Sequence, residues 1–283
     1  MLDTKCIYNG HLISLYEPAI SFTNRAFRYG DSLFESIRLI NGKIMLLSNH
    51  IHRIKIAMTT LRMNIPSEFN TAIIEHLIQL LIKENNIDSD ARIRLTVYRN
   101  EGGFYTPETN DISFLIEIEK IDKIGYMLNK KGLWVDLYAE IKKPISKISN
   151  IKTGSALLYV MAGLTKTSLK LDDCLLINEN GHIIESINSN IFVVKNGSIY
   201  TSPICDGCID GIMRKNILAL AGLNRILTFE KSLTVHTLTD ADEVFLTNAI
   251  SGIQWVGQFK NKFYTNNMAV LLTEKLNESI NNL

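Results

Sequence analysis

Two Asn-Gly pairs, Asn9-Gly10 and Asn41-Gly42, each stand between short runs of alternating apolar residues. Asn-Gly suits the centre of a tight hairpin turn, where both residues need a positive φ. KCIY and HLISLY are therefore expected to form one hairpin, and YGDSLFESIRLI with KIML a second. The chain begins as antiparallel sheet, and the next elements must cover a sheet face.

Behind the second hairpin the apolar period lengthens to that of a helix. Ser48 or Asn49 is placed to cap it, Ile51, Ile54, Met58 and Leu61 share one stripe, and His50 and Arg53 ride near its start. A second helix is expected behind Pro66-Ser67, carrying Ile73, Ile74, Leu77, Leu80 and Leu81 and stopping at Asn85-Asn86. Strands are expected at 91–98 and 112–118, around the turn-rich loop RNEGGFYTPETND. Alternation then fades across EKIDKIGYMLNKKG, which predicts a small N-terminal lobe over 1–119, a passage over 120–130 and a larger lobe over 131–283. The second lobe opens with the strand GLWVDLYA and the loop EIKKPISKISNIKTGS. A helix over 155–168 comes next, with Leu157, Val160, Met161 and Leu164 expected on its inner face. Short strands at 174–178, 183–186, 191–194 and 198–201, a helix after Gly211, strands at 243–247 and 252–256 and an amphipathic C-terminal helix complete the pattern.

Helices and strands are thus mixed without strict alternation, which predicts a two-lobe α+β or α/β chain and suggests neither a doubly wound sheet nor an eight-fold barrel. Neither G-x-G-x-x-G nor G-x-x-x-x-G-K-[ST] occurs, so a phosphorylated cofactor would have to be held another way. With 30 basic against 29 acidic residues, the chain has no global field for a nucleic acid or an anionic membrane. Its longest apolar tracts, such as HLIQLLI, are cut by polar residues well short of the ~20 residues that cross a bilayer. The N-terminus MLDTKCIYNG shows no basic stretch leading into an apolar one, so a cytoplasmic address with reduced thiols is expected. Cys205 and Cys208 form a C-D-G-C pair without the further ligands of a zinc site, and no metal is expected.

Several residues stand out chemically. Lys152 lies among apolar residues and glycine just before a helix, whereas Lys142-Lys143 reads as a solvated pair. A lysine drawn out of water loses preference for its ammonium form and becomes a nucleophile or base. Glu185 ends a strand outside any charge run, and Arg53 has the fork that grips phosphate or carboxylate. Gly211-Ile212-Met213 opens a helix whose N–H groups suit an anion. Arg92 and Arg94 share one strand face, either a solvated one or one that meets an acid. Tyr29 and Asn248 add polar groups of the kind that line pockets.

In order along the chain, RAFRYGDSLFESIR, NHIHRIKIA, NIKTGS, IIESINSNIFVVKNGSIYTSP, GCIDGIMR and EVFLTNAISGIQWV resemble the class IV aminotransferases, the fold type IV enzymes of pyridoxal 5′-phosphate. That family holds branched-chain and D-amino-acid aminotransferases and 4-amino-4-deoxychorismate lyases. The resemblance implies a D-amino-acid-aminotransferase-like fold with the cofactor between two lobes, and a homodimer acting on an amino acid and a 2-oxo acid. It makes Lys152 the Schiff-base lysine and proton carrier, and Glu185 the partner of the ring nitrogen. Arg53, Ile212, Met213, Asn248 and Ala249 would hold the phosphate. Tyr29, Arg38 and Arg94 would line the substrate side, with the 99–109 loop shaping specificity.

Two departures bear on the substrate. Branched-chain enzymes carry a tyrosine five residues after the lysine, and this chain has Leu157; RNEGG resembles the start of the lyase loop. FESIR, in contrast, is closer to the aminotransferases. The expectation is an aminotransferase of branched-chain-like or related amino acids, with the lyase as alternative.

Overall fold

The computed structural model describes residues 4–17, 20–122 and 125–281. The chain divides into two compact units, one comprising residues 1–125 with 151–155, the other 126–150 with 156–283. The expected division puts residues 151–155, and with them Lys152, in the second lobe. The observed division differs because this stretch lies against a strand of the first unit: Leu33 and Thr153 form a β-bridge.

In the first unit, β1 (Lys5–Tyr8) and β2 (His11–Ser14) form the expected hairpin, with Asn9 and Gly10 both at positive φ. The short helix α1 (Arg25–Tyr29) is capped by the Asn24 side chain and stopped by Gly30 in the left-handed region. β3 (Ser32–Ile40) and β4 (Lys43–Ile44) turn at Asn41-Gly42 as the sequence predicts. Helix α2 (Leu47–Thr60) begins earlier than expected, behind Leu46 at φ 53° and without a side-chain cap, so neither Ser48 nor Asn49 caps it. Helix α3 (Thr71–Glu84) is capped by Asn70 rather than started at Pro66-Ser67. β5 (Ala91–Arg99) and β6 (Ile112–Lys120) complete an antiparallel sheet in the order β2-β1-β6-β5-β3-β4. One face carries Leu33, Ile37, Ile93, Leu95 and Ile116 into a core with Ile51, Ile54 and Met58 of α2 and Ile74, Ile78 and Leu81 of α3. The other face carries Phe34, Arg38, Arg92 and Arg94, since alternate residues of a strand face opposite ways.

The second unit is a larger sheet. β7 (Leu133–Lys143) runs on through EIKK, four residues beyond the strand expected from the sequence. After α4 (Leu157–Ser168) come β8 (Asp173–Asn178), β9 (Ile183–Ser186), β10 (Asn190–Lys195) and β11 (Ser198–Thr201), close to expectation. The remaining elements are α5 (Ile212–Leu223), β12 (Thr228–Glu230), α6 (Val235–Asp240), β13 (Glu243–Asn248), β14 (Gly252–Phe259), β15 (Lys262–Phe263) and α7 (Asn267–Asn281). The sheet order is β12-β11-β10-β13-β14-β7-β8-β9, and β9 returns to pair with β10 through Asn190 and Glu185. The strands between these two partners therefore close into a barrel, leaving no edge at that seam. Its interior holds Val135, Leu175, Ile191, Val193, Val244, Leu246 and Val256. Alternate residues on β8, Cys174 and Leu176, pack outward with Tyr138, Ala162 and Ile184.

Helix α4 corrects one expectation. Leu157, at 76% exposure, and Leu164, at 60%, lie outward with Val160 and Met161, while Leu158, Tyr159 and Ala162 make the inner contact. The helix is apolar nearly all round, so periodicity does not single out the face that the sheet covers.

Arg38, expected on the substrate side, is 1% exposed and donates to Asp90 Oδ2 at 2.8 Å. Asp90 also accepts from the backbone N–H groups of Asn41 and Gly125, so it ties the β3–β4 turn to the end of the unit. This is a structural pair, and removing one member of such a pair leaves a buried charge at a cost of about 3–5 kcal/mol. Asp90→Ala is expected to lower the urea midpoint of unfolding strongly, and an unchanged midpoint would contradict the role given to the pair.

Candidate functional site

The first unit holds Lys152 by its backbone. Phe34 N–H donates to Lys152 O at 3.0 Å and Gly154 N–H donates to Ser32 O at 2.8 Å, so residues 152–154 run along β3. Position 154 admits only glycine without rearrangement, because a Cβ there would lie 2.0 Å from Ser32 Oγ. The ammonium of Lys152 rests 4.0 Å from the centroid of the Phe34 ring, and the Arg94 guanidinium meets the same ring at 4.1 Å. Two of the expected residues, Lys152 and Arg94, are thus brought together on Phe34, a residue that carries no chemical signal of its own in the sequence. Burial, first, and the neighbouring Arg92 draw the Arg94 pKa below its usual value, with Glu117 opposing them. An anion beside Arg94 would offset the cost of burying its charge.

Arg53 lies on the other face of the sheet, gripped by Glu35. Its Nε donates to Oε1 at 2.8 Å and its Nη2 to Oε2 at 2.5 Å, while His50 Nδ1 lies 2.7 Å from Oε2. His50 and Arg53 are three residues apart on α2, so both project from one helix face onto one carboxylate. Burial alone would raise the Glu35 pKa, but the Arg53 guanidinium and the His50 bond bring it down to about 2. The bidentate grip fixes the plane of the guanidinium that was expected to hold phosphate.

Tyr29 ends α1 with its ring 5.4 Å from that of Tyr105 and 5.1 Å from the Arg25 guanidinium. Arg25 and Arg99 both donate to Asp31 Oδ2 at 2.9 Å, and Arg25 also donates to the carbonyls of Gly102 and Phe104. The 99–109 loop is thereby tied to α1, so Tyr29 and Tyr105 are set side by side.

In the second unit Glu185 sits at the barrel seam. Lys143 Nζ donates to its Oε1 at 2.6 Å, Tyr159 OH donates to the same oxygen at 2.9 Å, and Ile209 N–H donates to Oε2 at 2.7 Å. Lys143 is 6% exposed, so it is not the solvated lysine that its doublet with Lys142 suggests. Alternation does not signal this, because residues 139–142 are all exposed and the pairing of β7 with β8 shifts register between Tyr138 and Lys143.

Close by in sequence, α5 starts without any side-chain cap. The first-turn N–H groups of such a helix have no intrahelical partner and suit an anion. A Cβ at Gly211 would lie 1.9 Å from Asn190 Oδ1, so glycine is what lets the helix start there. Ile212 and Met213 are both buried in that first turn. Asn248 caps the turn after β13, its Oδ1 accepting from Ile250 and Ser251 N–H and its Nδ2 donating to Ser189 Oγ. Ala249 O accepts from Tyr126 OH, and Thr247 Oγ1 is buried with no protein partner.

Among the described residues no cluster of three or more His, Cys, Asp or Glu is arranged to hold a metal. Cys205 is exposed and Cys208 buried, with Cys208 Sγ pointing to the carbonyls of Ser202 and Pro203. No helix among the described residues is long and apolar enough to cross a membrane.

The model of the family Amino-transferase class IV matches residues 32–259, and the chain belongs to that family. It is 27% identical to a putative branched-chain-amino-acid aminotransferase of Methanocaldococcus jannaschii, over 99% of this chain and 96% of the relative. It is 26% identical to a D-alanine aminotransferase of Bacillus licheniformis, over 88% and 86% of the two chains. Among solved structures, a branched-chain aminotransferase from Thermoproteus uzoniensis with norvaline aligns at a TM-score of 0.89 and 22% identity, covering 97% of this chain and 94% of that one. A putative 4-amino-4-deoxychorismate lyase from Legionella pneumophila aligns at 0.81 and 23%, covering 93% and 96%.

These environments have two measurable consequences. Glu35 is ionised in the fold far below the pH at which it protonates in the unfolded chain, so its contribution is complete above about pH 4.5 and is lost as the pH falls toward about 2. Glu35→Gln should flatten the acid limb of the stability profile and lower stability at neutral pH; an unaltered profile would refute the pairing. Burial and then Asp173 push the Cys174 thiol up to about 11, and burial and then Glu185 push Cys208 up to about 12. Alkylation of the native protein at pH 8 should therefore label Cys205 first, as peptide mapping would reveal.

Proposed function

We propose that the chain is a pyridoxal 5′-phosphate aminotransferase that moves an amino group between an amino acid and a 2-oxo acid. The observation that carries the reading is Lys152, in a segment tied to β3 by two backbone hydrogen bonds and with its ammonium on Phe34, in a chain that belongs to class IV. The residues present fit the cofactor. The uncapped start of α5 and the gripped Arg53 suit a phosphate dianion, the orphaned Thr247 hydroxyl is a further donor, and Glu185 suits a protonated ring nitrogen.

When bound, the cofactor supplies an electron sink for the electron pair left at the substrate Cα. Lys152 takes the Cα proton through Nζ and returns it to the acceptor carbon, as a general base and then acid. Glu185 pairs with the ring nitrogen and keeps it protonated. Ile212 and Met213 N–H, the Asn248-Ala249 turn and Arg53 retain the phosphate. Arg94 binds a substrate carboxylate, and Tyr29 with the 99–109 loop borders the substrate. Arg38 has no part in this, being spent on Asp90.

A branched-chain-like donor is the preferred substrate, supported by the Methanocaldococcus relative. Leu157, where branched-chain enzymes carry tyrosine, favours keeping the lyase as a second reading, in which the same lysine would release pyruvate and p-aminobenzoate from aminodeoxychorismate. We read the protein as cytoplasmic and as a homodimer, the dimer being supported by the outward apolar face of α4.

The visible absorption of the cofactor-loaded protein, recorded before and after L-glutamate, L-leucine and D-alanine, separates these readings. Conversion of the visible band by one donor identifies a transaminase and its donor. No change with any of them, together with p-aminobenzoate formed from aminodeoxychorismate, would overturn it in favour of the lyase. Lys152→Ala should abolish turnover while circular dichroism remains native, and normal turnover would remove Lys152 from the mechanism.

A further inference from the structure

Glu185 is held by more donors than a strand-end carboxylate needs. An ionised carboxylate has about four lone-pair positions, two on each oxygen. Lys143 Nζ and Tyr159 OH take both positions on Oε1, at 2.6 and 2.9 Å, and Ile209 N–H takes one on Oε2 at 2.7 Å. Lys143 Nζ also donates to Tyr159 OH at 2.9 Å, so the hydroxyl accepts from the ammonium and directs its own proton to Glu185. The three groups form a closed triangle. A single acceptor position is left on the carboxylate, and it lies on Oε2.

The geometry points to Tyr159, with Lys143, as a positioning residue for the cofactor: the two fill Oε1 and leave Oε2 as the atom that receives the ring N–H. This rests on the assignment of Glu185 to the ring nitrogen made above. Tyr159 lies two residues beyond Leu157, the position at which branched-chain enzymes carry their tyrosine. Its hydroxyl is therefore committed to the carboxylate at the nitrogen end of the ring. Burial, and then the charge of Glu185, push the Tyr159 pKa far above its usual value, so the group remains a donor at any working pH. The Cys208 thiol, near Glu185, is likewise kept neutral by burial, so Lys143 is the one charge that faces Glu185 within this triangle.

The consequence is electronic. Each donor on Oε1 withdraws charge from the carboxylate and weakens its hold on the ring proton. Tyr159→Phe removes one neutral donor, and Lys143→Gln removes a full positive charge. Both make Glu185 a stronger base, which pulls the ring proton toward the carboxylate and returns electron density to the ring, and loss of the Lys143 charge acts in the same sense.

The test uses the cofactor-loaded protein and reads the pH midpoint of its visible band, with the cofactor dissociation constant from equilibrium dialysis alongside. Part of the effect of each lost hydrogen bond is passed through the carboxylate to the ring. The midpoint of Tyr159→Phe should rise by about half a unit, and that of Lys143→Gln by more. Tyr138→Phe is the control, since its hydroxyl is buried in the same cluster without a partner and does not touch Glu185. Its midpoint should stay at the wild-type value. An unmoved Tyr159→Phe midpoint, with Glu185→Gln shifted, would overturn the role of Tyr159 and leave Glu185 at the ring. An equal shift in Tyr138→Phe would reduce the effect to core packing and overturn it as well. A Glu185→Gln protein with an unshifted midpoint would instead remove Glu185 from the ring nitrogen, and the inference with it.

Discussion

One strand pairing, Asn190 against Glu185, turns the second sheet from an open ribbon into a barrel. Much of that unit depends on it. Closure fixes β9 between β8 and β10, which places Glu185 within reach of Lys143 on β7 and of the Ile209 amide just before α5. Asn190, the other member, donates to Ile209 O and crowds Gly211, so the same seam sets where α5 begins. A buried carboxylate and a helix start capable of holding an anion are thus consequences of one closure.

The first unit reaches a comparable result by other means. Its sheet has two chemically different faces, apolar toward α2 and α3 and polar on the other side. Glu35 breaks the pattern by standing on the helix side, and the exception is tolerated because His50 and Arg53 meet it there. An unpaired carboxylate at that depth would cost several kcal/mol. The pair is therefore a fixed point from which the guanidinium of Arg53 is aimed.

The features legible in the sequence are the local ones. The Asn9-Gly10 and Asn41-Gly42 hairpins, the stop at Asn85-Asn86 and the short strands between 173 and 201 depend on turn chemistry and period, and stand where expected. The α2 start was not legible, because Leu46 adopts a left-handed φ that no capping rule anticipates. Nor was the inward face of α4, since a helix apolar on two sides needs the sheet to choose between them. At the candidate site, Lys152, Arg53, Glu185, Ile212 and Met213 were singled out by residue type and by family motifs. Glu35, Lys143 and Tyr159 were missed because each matters only through a partner 18 to 42 positions away. Arg38 was misassigned for the same reason: nothing near it in sequence announces Asp90.

Residues 151–155 belong to the first unit although the chain has by then entered the second. The first unit is consequently discontinuous, and its last piece, the bridge between Leu33 and Thr153, joins positions far apart in sequence. On a ribosome the polypeptide emerges from the N-terminus, so the sheet of residues 5–120 can assemble early, but the strip that holds Lys152 arrives only after β7 has been made. The lysine is thus delivered late to a surface already formed. Completion of the N-terminal unit is thereby timed by synthesis of the segment beyond it, and loop-closure entropy makes that long-range join a late event in refolding too.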